Sequence, residues 1–200
     1  MQVSITKSIR GLTLRAGVLA GAVALTLALA PAVARQPEKT RITESEVIAA
    51  QKAWCAALVN IGKVHQEGGD RYKAVASQAI DNLYDYKEGK VFFKPTYTFG
   101  KNTFRPTKAG ALSYFIGGNQ NFPEDDPGFA LKPWITCVAD NNAAPNGIQI
   151  HGNIAITMGN VSLTSKDGPA KVDKTFVFRK DRNGKLRLCV HHSSVPVAPR

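Results

Sequence analysis

"TFVFRKDRNGKLRLCVHHSSVP", Thr175 to Pro196, carries the clearest fold signal in the chain. Asn183-Gly184 accepts the positive φ angles of a tight two-residue turn, and apolar, strand-forming residues flank it, so the segment reads as a β-hairpin. In its second arm, strict alternation places Leu186, Leu188, Val190 and His192 on one face of the strand. Arg187, Cys189, His191 and Ser193 take the other. The first set is apolar and is expected to face the core. That carries His192 to the core or cavity side and turns His191 outward.

Upstream of the hairpin, Phe129–Ala139 and Ile154–Thr164 read as further strands, and "KDGPA" (166–170) supplies the turn before Lys171–Lys180. Four strands in succession predict an antiparallel meander. Earlier still, "KVFFKPTYTF" (90–99) is a strand broken at Pro95. "PTKAGALSYFIGG" (106–118) predicts a short helix capped by Thr107, and "NFPEDDPG" (121–128) a rigid acidic loop bracketed by prolines. At the front, "TESE" is a capping box, with Thr43 as N-cap and Glu46 three residues on. Val47, Trp54, Leu58 and Ile61 follow at helical spacing as far as Gly68-Gly69. A second helix runs from Asp70, with Tyr72, Val75, Ala79, Ile80 and Leu83 on its apolar side. The expected fold is α+β: a curved antiparallel sheet packed by N-terminal helices, cone-shaped, with a ligand-sized mouth.

Residues 1–34 read as a cleaved signal peptide. Lys7, Arg10 and Arg15 precede an uncharged run, "AGVLAGAVALTLALA" (16–30), and "AVA" (32–34) offers the small residues of a cleavage site. Residues 35–41 are a disordered lead and 42–196 a single domain. The expected location is periplasmic or secreted, with no membrane span after cleavage. The chain has a formal charge of +11, and removing three signal cations leaves 11 − 3 = +8. Its Lys and Arg are scattered, so a nucleic-acid partner is not expected.

Export permits disulfides, yet only Cys55, Cys137 and Cys189 are available. In a simple meander Cys137 and Cys189 stand three strand spacings apart, roughly 14 Å, too far for a bridge. A link from Cys55 to the sheet stays open. There is no C-x-x-C, and the four histidines have no ligand spacing, so neither metal nor cofactor is expected.

An acid–base site on this fold would use a cavity carboxylate or histidine, which makes Asp85 and His192 the catalytic candidates. Asp81 and Asp85 are four apart on the second helix. Tyr86, Arg105, Trp134 and His192 are the candidate ligand-binding residues around the mouth. Arg105, in the apolar "TFRPT", calls for an anionic partner, either Asp85 or a ligand carboxylate.

"LRLCVHHSSVP" resembles the closing strand of the association domain of calcium/calmodulin-dependent protein kinase II. The capped first helix with its Trp, "LYDYKEG" and "NIAITMGNVSLT" fit as well, while "FKPT", "FRPTKAGALSYFIGG" and "FALKPW" resemble a secreted bacterial branch. The resemblance covers nearly all of Ile42 to Pro196. It implies the nuclear transport factor 2-like fold, also called SnoaL-like or cystatin-like. That fold hosts isomerases, hydrolases, binders and oligomerisation modules, so function must come from the site. The expectation is an exported module that binds a small anionic or apolar ligand or assembles with itself, at least as a dimer, without chemistry. The alternative is an acid–base enzyme, an isomerase or hydrolase.

Overall fold

The first helix begins where the capping box puts it. In the computed structural model, which describes residues 41–197, Thr43 Oγ1 accepts from the Glu46 amide and Glu46 Oε2 accepts from the Thr43 amide. The proposed signal and nearly all of the lead lie outside the described residues. Helix α1 (Glu44–Gln66) buries Val47, Gln51, Trp54, Cys55, Leu58, Ile61 and Gly62. Their spacing of three and four puts them on one face. Gly62 has a steric reason: a Cβ there would stand 2.8 Å from the Ala130 carbonyl oxygen. Helix α2 (Arg71–Leu83) packs on α1 and buries Ala76 and Ile80.

Strands β1 (Phe92–Lys94), β2 (Trp134–Ala139), β3 (Ile148–His151), β4 (Ile154–Ser165), β5 (Gly168–Lys180) and β6 (Leu186–Ser194) form one sheet. Its order is β1-β6-β5-β4-β2, with β3 pairing β4 beside β2. The meander β2-β4-β5-β6 is therefore present and the fold is α+β, a curved, open sheet roofed by helices. Three features differ from expectation. The strand expected at Phe129 starts only at Trp134, β3 was not anticipated, and β1 joins the sheet parallel to β6. Helix α3 (Lys108–Ile116) starts at Thr107, whose hydroxyl accepts from the Gly110 amide. Among the described residues no helix is long and apolar enough to cross a membrane.

Cys55 and Cys137 form a disulfide with Cα atoms 5.2 Å apart, tying α1 to β2. This settles the link that the sequence left open, and Cys189 is the free thiol.

The orientation of the histidine pair is the reverse of the expected one. On β5, Val177 pairs with Val190 but Phe178 pairs with Leu188, so Cys189 is an extra residue on β6. Such a β-bulge shifts the alternation by one from that point on. Leu188 faces the core as expected, but beyond the bulge His191 and Ser193 are the buried residues and His192 is exposed. A two-residue period cannot reveal an insertion that breaks it.

Candidate active site

The end of β1, helix α3 and strand β6 bring four polar side chains to one small hollow between the sheet and the helices. Pro95 ends β1 because it cannot donate to a ladder, and Thr96 follows it. Tyr114 comes from α3, and His191 and Ser193 from β6 beyond the bulge. Trp54 of α1, Phe129, Val161, Leu163 and Val172 supply an apolar wall. The hollow leaves about 10 Å³ for the centre of a water-sized molecule. That is room for one very small guest.

Its hydrogen bonds are ordered from the outside in. Trp54 Nε1 donates to Tyr84 Oη at 3.0 Å. Tyr84 Oη lies 2.8 Å from His191 Nδ1. The phenolic proton then has His191 Nδ1 as its acceptor, and this network assigns the remaining imidazole proton to Nε2. Burial pulls the His191 pKa down to about 3, helped by the positive fields of His192 and Lys174. The ring is neutral at physiological pH and offers a donor rather than a charge. Stacking on Phe93 (4.5 Å between centroids) and edge contacts with Phe176 (4.6 Å) and Trp54 (5.5 Å) fix its plane.

Ser193 Oγ donates to the Asp173 carbonyl at 2.9 Å and lies 2.6 Å from Thr96 Oγ1. The Tyr114 phenol is buried beside Thr96. Burial holds its pKa above the ordinary value, against the opposing hydrogen bonds of the Thr96 hydroxyl and amide. The hollow thus presents one oriented N–H and three hydroxyls that can turn to donate or accept. This suits one small oxygen-bearing guest. Among the described residues no group of three or more His, Cys, Asp or Glu is placed to hold a metal ion.

The residues expected from sequence do not gather here. Asp85 lies past the end of α2, buried, with Arg179 Nε donating to its carboxylate. It braces α2 to β5 rather than lining the hollow. His192 is on the outer face of the sheet. Arg105 is fully buried, but its partner is neither Asp85 nor an open site. Its Nε and Nη2 reach Asp125 Oδ2 and Oδ1 at 3.1 and 2.6 Å, and Nη2 reaches Glu124 at 3.3 Å. The acidic loop supplies the counter-charge. Tyr86 Oη donates to the Arg105 carbonyl at 2.8 Å and Trp134 Nε1 to the Phe129 carbonyl at 2.8 Å. Trp134 borders an open groove with His65, Tyr97 and Lys132 that adjoins the hollow through Tyr114 and Phe129.

Sequence reasoning passed over Thr96, Tyr114, His191 and Ser193 as a set. One cue was present: Tyr114 is the polar tip within the apolar "ALSYFI" of a capped helix. The others depend on the bulge and on the parallel pairing of β1.

The profile of a family described as "Metal-independent carbonic anhydrase" matches residues 45–195. A protein of that description from Nostoc sp. (strain PCC 7120) is 54% identical over 157 residues, covering 78% of this chain and 74% of its own. A solved structure, the iota-carbonic anhydrase from a cyanobacterium complexed with bicarbonate, aligns with a TM-score of 0.75 at 50% identity. The alignment covers 80% of this chain and 96% of that one.

Proposed function

This chain belongs to the metal-independent carbonic anhydrase family, and from that premise we propose that it interconverts carbon dioxide and bicarbonate in the hollow lined by Thr96, Tyr114, His191 and Ser193. Membership overturns the expectation of a binding and assembly module without chemistry and replaces the likeness to the kinase association domain with a more specific one. The alternative, an acid–base enzyme, fits better; in this reading the reaction is CO₂ hydration in place of the expected isomerisation or hydrolysis, and it uses other groups than Asp85 and His192.

The observation that carries the reading is the match between guest and hollow: a space for one very small molecule, ringed by uncharged donors inside an aromatic wall. Hydration forms one C–O bond between water and the carbon of CO₂ and releases one proton. Negative charge grows on the former CO₂ oxygens, where His191 Nε2–H and the Tyr114 hydroxyl can donate. In a water-poor site such fixed donors lower the barrier strongly. The paired hydroxyls of Thr96 and Ser193 hold the attacking water and relay its proton, each taking one as it gives up its own, until the proton leaves to solvent. In the reverse direction the same donors hold bicarbonate as the C–OH bond breaks. The small anionic ligand expected from sequence is, in this reading, bicarbonate.

The decisive test is stopped-flow CO₂ hydration by chelator-treated protein. The expected result is catalysis that survives metal removal and collapses in Tyr114→Phe and Ser193→Ala. A folded, pure protein that adds nothing to the uncatalysed rate would defeat the proposal. Two further expectations belong with it. Cleavage after residue 34 would give an exported enzyme whose N-terminal sequence begins at Arg35, and self-association would appear as a dimer or larger species in light scattering.

A further inference from the structure

Lys174 is buried (1% exposed) on β5 with no described carboxylate paired to it. Asp140 acts on it only through longer-range charge. Its Nζ instead reaches Asn141 Oδ1 at 3.0 Å and Thr157 Oγ1 at 3.5 Å, and stands 5.2 Å from the centre of the Phe176 ring. Gln51 Nε2 donates to the same two oxygens, at 2.8 and 3.0 Å, and Asn141 Nδ2 donates to Gln51 Oε1 at 3.1 Å. The cluster is therefore rich in donors and poor in acceptors. An ammonium brings three N–H groups, each amide two and the hydroxyl one, against the oxygens of Gln51, Asn141 and Thr157 alone. A buried cation ordinarily takes a carboxylate to balance it. What the cluster lacks is a carboxylate, and among the described residues none is paired with it.

The position narrows what could. Lys174 pairs directly with Ser193 across β5 and β6, and both side chains are buried under α1, so the amine is one strand from the hollow. Asn141, which caps the amine, also borders the groove between α1 and β2. We propose that Lys174 is a site of reversible carbamylation by carbon dioxide. The unprotonated amine attacks the carbon of CO₂, an N–C bond forms, one N–H proton leaves to solvent, and the new carboxylate accepts from Gln51, Asn141 and Thr157. No oxidant or further reactant is needed. Burial lowers the amine to about 8, so free base is present near neutral pH. The inference rests on the proposed function only for the local supply of CO₂.

Trapping tests it. Intact protein in mildly alkaline ¹³C-bicarbonate is treated with a trialkyloxonium salt, which esterifies carbamates, then digested with trypsin and weighed. The expected result is one ¹³C-carboxyl ester on Lys174, with tryptic cleavage blocked at that residue. The label should be lost in Lys174→Arg and reduced in Gln51→Leu. An unlabelled Lys174, label spread evenly over surface lysines, or a ¹³C signal from bicarbonate alone would each overturn it. Running the Tyr114→Phe protein in parallel separates the two proposals. Label without hydration activity in wild type sinks the enzyme reading alone, and activity without label sinks the carbamate alone.

Discussion

Two buried polar clusters touch α3, one at Gly110 and the other at Tyr114, and they differ in the hydrogen-bonding capacity they leave free. Around Arg105 every N–H has an acceptor. Asp125 takes two, Glu124 shares one, the Phe104 and Asn102 carbonyls receive Nη1, and the guanidinium lies 4.3 Å from the Phe122 ring centre. In the hollow, by contrast, the His191 ring is held from outside through Nδ1 while the hydroxyls of Thr96, Tyr114 and Ser193 border open volume. The charged cluster looks more like a binding site when only residue types are read. The uncharged one has capacity left for a guest. A saturated cluster holds structure, and an unsaturated one can do chemistry.

The contrast breaks most visibly at Arg105. Arg105→Met strands Asp125 in the interior and is expected to cost about 3–5 kcal/mol in urea unfolding, while the folded fraction keeps its hydration activity per molecule. A large drop in kcat without loss of stability would place Arg105 in the reaction. Ser193→Ala should do the opposite. Removing a hydroxyl that relays the water's proton typically costs about 10²–10⁴ in kcat, and the melting temperature should move by only a few degrees.

The pH response sharpens the same point. His191 has a folded pKa of about 3, below its unfolded value of about 6.5. Between those values the unfolded chain binds a proton that the native state refuses. This contribution to stability is complete above about pH 6.5 and is lost as pH falls toward 3, on the order of a few kcal/mol in total. Urea midpoints between pH 7 and 4 should fall accordingly, and ring resonances of His191 should not titrate near 6.5. The smallest effect belongs to His192. His192→Ala, on the exposed outer face, should change stability by no more than about 0.5 kcal/mol and leave hydration unaltered.

Much of the scaffold is legible in the chain because it rests on local rules. "TESE" starts α1, the hairpin turns between Lys180 and Leu186 with Gly184 at positive φ, and the long strands begin and end within a few residues of where alternation puts them. The failures share a different cause. The Cys55–Cys137 bond, the parallel docking of β1 and the pairing of Arg105 with Asp125 all join segments distant in sequence. Local periodicity says nothing about such partners. The bulge at Cys189 is the sharper case, since one unpaired residue exchanged the fates of His191 and His192. The composition of the hollow was readable, but its membership was not.

The covalent tether at Cys55 has a consequence for how the protein matures. Its neighbour Trp54 is the residue whose indole N–H meets Tyr84, and Tyr84 in turn meets the imidazole. Oxidation therefore pins α1 at the turn that orients the ring. In a reduced chain, that turn would be held by packing alone.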